Sequence, residues 1–201
     1  MKNKALKIKL SLSGLFMIIA LFLTHSYISI AALAAAALHE LGHIAAAKLC
    51  KIPLGELKLG IFGAALTPIS SSFSYKKEIL LCLAGPLVNL FSAMLIYPFG
   101  HSKNEFISLF FSASLFLGLL NLLPIKDFDG GRILSCILSY IYSPAVAWRA
   151  LKILSFILIF SLWTLSVYLL LKLASSLSLF VFSLSLFSKI FMSDKESIYC
   201  V

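Results

Sequence analysis

The sequence predicts an all-α polytopic membrane protein of about six transmembrane helices, with a short membrane-associated β-hairpin-like loop after the second. Composition and the spacing of apolar runs predict it. Of 201 residues, 61% are hydrophobic and 12% charged, against about 45–50% apolar and about 25% charged in soluble domains. A bilayer core of about 30 Å needs roughly 20 apolar residues per helix. Stretches near that length fall at residues 10–25, 28–49, 79–99, 106–123, 153–171 and 173–190, each ending where Lys, Pro, Asp or Gly interrupts.

The first stretch follows Lys2, Lys4, Lys7 and Lys9, as a secretory signal would. The small residues that such a signal needs for cleavage occur only at 31–37, and cutting there would open the next apolar span, so the stretch is expected to remain as a helix. The longest weakly apolar stretch, residues 51–77, is too short to bury a core of its own. Within it, Glu56-Leu57-Lys58-Leu59 alternates polar and apolar, and Gly63 interrupts the pattern, which predicts strand, turn and strand.

The net charge of +9 follows the predicted spans rather than forming a patch. With the N-terminus inside, every Lys and Arg except Lys103 and Lys172 falls on the cytoplasmic side, so both termini are expected there. Charges spread over four loop regions, with no aromatic-interleaved basic patch, argue against nucleic acid as a partner. Attraction to anionic lipid headgroups accounts for them. Cys50, Cys82, Cys136 and Cys200 form no Cys-x-x-Cys pair and read as small apolar fillers.

The second stretch contains His39-Glu40-Leu41-Gly42-His43 in a run free of Pro. Residues four apart share a helix face, so both imidazoles can reach one metal ion. Glu40, one position on, sits about 100° around the helix, where it can act on a water without being a ligand. This is the H-E-x-x-H spacing of zinc metalloproteases. An ionisable residue at the centre of a span costs about 2.5 to 3.5 kcal/mol on insertion scales and is functional by default. If the helix leaves the hydrocarbon near Cys50, His43 lies roughly 10 Å below the cytoplasmic surface at about 1.5 Å per residue, so water must reach it through a cavity. Two His do not complete a catalytic zinc site, and a carboxylate or a further His must come from elsewhere.

Beyond the fourth stretch the chain reads Asn121-Leu122-Leu123-Pro124-Ile125-Lys126-Asp127-Phe128-Asp129-Gly130-Gly131-Arg132. Pro124 turns Leu123 away from helical geometry and the Gly pair permits tight turns, so non-helical backbone is expected here. The two motifs together resemble the site-2 protease family of intramembrane zinc metalloproteases, which pairs H-E-x-x-H with a later Asn-x-x-Pro-x-x-x-x-Asp-Gly. Gly85-Pro86-Leu87-Val88-Asn89 is similar to a further element of that family.

The resemblance implies one integral membrane protease domain over 1–192 with a short cytoplasmic tail at 193–201. It implies one zinc ion on His39, His43 and Asp129, with Glu40 as general base and Asn121 and Pro124 helping to position substrate. Asp127 departs from the family pattern and is expected to be a solvated charge. With no appended PDZ or CBS domain, the layout is most similar to the stage IV sporulation protein FB branch. That branch implies a membrane-tethered sigma factor precursor as substrate, possible membrane-protein regulators, and a bacterial cell membrane. Two other readings compete: a metal transporter using the same four residues, which the apolar far half of the second stretch disfavours, and an inactive homologue that binds membrane partners.

Overall fold

The computed structural model describes residues 7–10, 26–52, 54–60, 63–68, 74–99, 104–126 and 128–173, together with 180, 183, 184, 186 and 187; of 7–10, 54–60, 63–68 and 99 it describes the backbone alone. The chain forms two compact units, Met1–Leu122 and Leu123–Val201.

In the first unit, strand β1 (Lys7–Leu10) is followed by helix α1 (Tyr27–Leu49), strands β2 (Leu54–Gly60) and β3 (Gly63–Pro68), helix α2 (Tyr75–Ile96), a 3-10 turn (Tyr97–Phe99) and helix α3 (Glu105–Asn121). The three helices pack against one another in every pairing. Ser26 starts α1 by accepting a hydrogen bond from the Ile28 amide at 3.2 Å, and Asn104 starts α3 the same way from Phe106 at 3.1 Å. The end of α1 is a Schellman turn: Lys51 donates to the Lys48 carbonyl at 3.1 Å and Ile52 to the Ala47 carbonyl at 2.8 Å. Ile52 then packs with Ala46, Ala47 and Leu81. The turn places Lys51 at a φ of 54°, a region where a side chain is strained and glycine is not.

The three strands form one sheet in the order β1-β2-β3, with β1 parallel and β3 antiparallel to β2. The fold is therefore helical with a small sheet. Strand β1 was not expected, because Lys7-Ile8-Lys9-Leu10 reads as the basic leader of a span although it also alternates with period two.

The second unit contains helices α4 (Asp129–Ile141) and α5 (Pro144–Leu173), which pack together. Ile125, Ile159 and Leu186 form its apolar core, flanked by Leu123, Phe128 and Leu158. Ser166 on α5 lies 3.1 Å from Ser183, close enough for one hydroxyl to donate to the other while the second donates to a carbonyl of its own segment. Hydroxyl pairs of this kind join helices where the surroundings are apolar.

Among the described residues, three helices are long and apolar enough to cross a membrane: Tyr27–Leu49, Tyr75–Ile96 and Pro144–Lys172. Between 17% and 33% of each central window is buried, and large apolar side chains such as Phe91, Met94 and Ile157 face outward. In water such surface would be a liability, whereas lipid is its natural solvent. The expected count of six is not reproduced among the described residues. The fourth stretch is the shorter helix Glu105–Asn121, the first lies outside the described residues except for Leu10, which stands in β1, and the sixth and the tail lie largely outside them. The fifth begins nine residues earlier than expected, with Pro144 at the first helical position. Its first turns carry Arg149 and Lys152, and Lys152 lies 5.1 Å from the Trp148 ring centroid.

Relief of the strained Lys51 backbone predicts that Lys51→Gly raises the stability of the detergent-purified protein by about 1 kcal/mol. Thermal unfolding followed by circular dichroism tests this; an unchanged or lowered melting temperature would contradict it.

Candidate metal centre

On α1, His39 and His43 stand one turn apart, both buried. Their Nε2 atoms lie 3.1 Å from each other and their ring planes meet at 84°. Two nitrogens on one tetrahedral zinc, each at about 2.0–2.1 Å, stand roughly 3.3 Å apart. The pair therefore has the separation that a shared ion requires.

The other nitrogen of each ring is held by α2. His43 Nδ1 lies 2.8 Å from the Leu81 carbonyl oxygen, which can only accept, so Nδ1 carries the proton and Nε2 keeps its lone pair for a metal. Leu81 stands one residue before Cys82, whose carbonyl has no amide to bond four residues on because Pro86 lacks one. His39 Nδ1 faces the side-chain amide of Asn89 at 3.4 Å. A metal-ligating His ordinarily has such a partner on its second nitrogen, which fixes ring orientation and tautomer.

Two glycines allow this. A Cβ on Gly42 would stand 2.8 Å from the Ala84 carbonyl oxygen and 3.1 Å from the Gly85 Cα, so α1 and α2 meet backbone to backbone, as small residues permit between helices in membranes. A Cβ on Gly85 would stand 2.4 Å from His43 Nε2 and 2.9 Å from His39 Cε1. The space in front of the two nitrogens exists because residue 85 has no side chain, and its dimensions and donor set fit a metal ion. Sequence reasoning noted the 85–89 element without a role for it. Nothing in the spacing along the chain connects Gly85 or Asn89 to His residues more than forty positions away.

Glu40 follows His39 on α1 and is half-buried. Asn121, the last residue of α3, is half-buried and donates from Nδ2 to the Leu117 carbonyl of its own helix at 3.0 Å.

In the second unit, Asp129 is buried and is the first residue of α4. The segment before it is built from tight turns: Ile125 donates to the Leu123 carbonyl at 2.8 Å around Pro124, and Phe128 to the Ile125 carbonyl at 2.9 Å. Ser155 on α5 fastens it by accepting from the Lys126 amide at 2.9 Å. The expected non-helical backbone thus ends at Phe128, and Gly130 and Gly131 lie inside the helix. Their place is explained by packing: a Cβ on Gly131 would stand 1.9 Å from the Ile125 carbonyl oxygen. A carboxylate in the first turn suits the positive end of the helix dipole. Asp127 lies outside the described residues. Cys50, Cys82 and Cys136 are not in disulfides.

The cradle at Gly85 predicts that Gly85→Ala weakens zinc binding about tenfold or more, because the methyl group would overlap His43. Gly118→Ala, whose Cβ would come nearest the Leu90 side chain and the Pro86 carbonyl rather than either imidazole, is expected to bind zinc as the parent does. Chelator competition on the purified proteins measures both, and equal affinity of parent and Gly85→Ala would contradict the cradle.

The family described as Peptidase M50B-like matches residues 12–195. The site-2 protease of Methanocaldococcus jannaschii is similar in fold, with a TM-score of 0.67 and 21% identity over 98% of this chain and 95% of that one. No curated protein matches significantly. A family match over nearly the whole sequence, on a helical fold whose α1 carries the H-E-x-x-H pair, shows that the chain belongs to the Peptidase M50B-like family and is a membrane metalloprotease.

Proposed function

We propose that this protease hydrolyses a peptide bond in or near the transmembrane segment of a membrane-tethered protein. One zinc ion would be held by His39, His43 and Asp129, three buried residues that each offer one nitrogen or oxygen ligand atom. The observation that carries the reading is the approach of the two Nε2 atoms to 3.1 Å on an apolar helix, with the space before them kept open at Gly85. Zinc in this position supplies Lewis acidity and lowers the pKa of a water to about 7.

Glu40, about 100° around the helix from His39, takes the proton of the attacking water and delivers it to the leaving amine nitrogen. His39 and His43 are fixed by partners on α2 and need no reorganisation during the reaction. Asn121 and Pro124, at the end of α3 and just beyond it, help to position substrate.

A substrate helix hydrogen-bonds its own backbone and must be extended before hydrolysis. Strand β3 has no second partner among the described residues and can accept an extended segment by strand addition. Lys58 lies in the middle strand, between Lys9 and Ala65. The edge to block is therefore on β3.

The physiological substrate we propose is a regulatory protein such as a sigma factor precursor, released in sporulation from a bacterial cell membrane. Both termini would be cytoplasmic, and membrane-protein regulators would restrain the enzyme. The resemblance to the stage IV sporulation protein FB branch and the distribution of basic residues support this.

Co-expression with a single-span sigma factor precursor, followed by immunoblotting, tests the reading. Glu40→Gln is expected to abolish cleavage while retaining zinc, Asp129→Asn to lose both, and proline at Ala65 or Leu66 to reduce cleavage with zinc retained. Cleavage by Glu40→Gln at the parent rate would overturn the mechanism. Unchanged cleavage in both proline variants would remove strand addition from it.

A further inference from the structure

We infer that the corner joining α4 to α5 is a site for one anionic phospholipid, its phosphate held by Arg149 and Lys152. The inference stands apart from the zinc reading and concerns how the second unit meets the membrane.

The length of α5 sets the depth of this corner. Its 30 residues span about 45 Å at about 1.5 Å per residue, against a hydrocarbon core of about 30 Å. The uncharged stretch between Lys152 and Lys172 is itself about 30 Å long, so it fills the core and leaves Pro144 to Lys152 at the level of the headgroups. The aromatic residues agree. Tyr140 and Tyr142 are exposed at the corner, with exposed Ile141 between them, and Trp148 follows in the first turns of α5. Tyr and Trp collect at that depth, where one end of the ring meets acyl chains and the other meets water.

Two cations share one helix face there. Arg149 and Lys152 stand three apart, which puts their Cβ atoms about 5–6 Å from each other. Arg149 is exposed, and the Lys152 ammonium lies 5.1 Å from the Trp148 ring centroid, a cation-π contact that restricts where its charge can stand. Like charges at this spacing repel, and an anion between them removes the repulsion. Neither helix supplies one beyond Asp129, since no Asp or Glu occurs between Asp129 and Asp194. A phosphodiester meets the need: the guanidinium donates two parallel hydrogen bonds to its oxygens, and the ammonium adds a point charge.

The same face continues into the core as Ile153, Phe156 and Ile157, at four, seven and eight residues from Arg149. All three are exposed apolar side chains. Two cations at headgroup depth followed by an apolar track match an anionic lipid with its acyl chain, and a free phosphate would leave the track unused.

Trp148 reports on the site, because the sequence has only one other tryptophan, Trp163. The full chain carrying Trp163→Phe is reconstituted in phosphatidylcholine vesicles containing either brominated phosphatidylglycerol or brominated phosphatidylcholine, and Trp148 emission is measured. Phosphatidylglycerol is expected to quench more strongly at equal mole fraction. Arg149→Gln and Lys152→Gln are each expected to lower that preference about fivefold, the contribution of one basic residue beside an anionic headgroup. Lys172→Gln, at the other end of α5, is expected to leave it unchanged.

Equal quenching by the two lipids in the Trp163→Phe protein would overturn the inference, whether or not the charge variants fold. A loss in Lys172→Gln as large as in Arg149→Gln would replace the discrete site by an effect of net charge. Inorganic phosphate added at constant ionic strength is expected to leave the preference intact; its abolition would assign the cation pair to a free anion and overturn the lipid.

Discussion

Helices α1 and α2 touch backbone to backbone where Gly42 meets Ala84 and Gly85, and the chemistry of the first unit depends on that contact. Any side chain at position 42 would separate the helices. The Leu81 carbonyl and the Asn89 amide would then move out of reach of the imidazoles they hold. Any side chain at position 85 would fill the space that the two Nε2 atoms face. A pair of His at i and i+4 is common on helices; a pair whose outer nitrogens are both anchored to a second helix is a prepared ligand set. The anchoring is inexpensive because it uses a backbone carbonyl and one amide side chain rather than buried charges.

The same constraint explains how polar groups are tolerated in so apolar a chain. Backbone and side-chain polar atoms within hydrocarbon must be satisfied by protein. Ser166 and Ser183 pair with each other beside carbonyls of their own segments, Asn121 bonds back to Leu117, and Ser155 receives the Lys126 amide. Ile125, Lys126 and Phe128 are held by tight turns and by Ser155, as expected of non-helical chain packed against protein. Asp129 follows at a helix start, where a carboxylate is favoured.

Much of this was legible in the sequence because it depends on local periodicity. The H-E-x-x-H spacing gives the shared face of His39 and His43, and the apolar lengths give α1, α2 and the body of α5. The alternation after Leu54 marks the strand pair. What was not legible depends on contacts distant along the chain. Gly130 and Gly131 suggested a turn, yet they lie in α4, with Gly131 against the Ile125 carbonyl oxygen; close packing and chain reversal demand the same residue. The pairing of β1 with β2 was not legible either, because Lys7 to Leu10 reads as the basic leader of a span. Asn89 was visible as part of a family-like element, but its contact with His39 comes from helix crossing, which periodicity does not encode.

X-ray absorption at the zinc edge of the purified protein tests the central claim most directly, because it reads the ligand set without requiring a substrate. Two imidazoles with the remaining ligands oxygen, all at about 2.0–2.2 Å, are predicted for a site built on His39 and His43. A sulfur shell at about 2.3 Å, which would implicate the cysteines, or a shell with no more than one imidazole, would contradict the account.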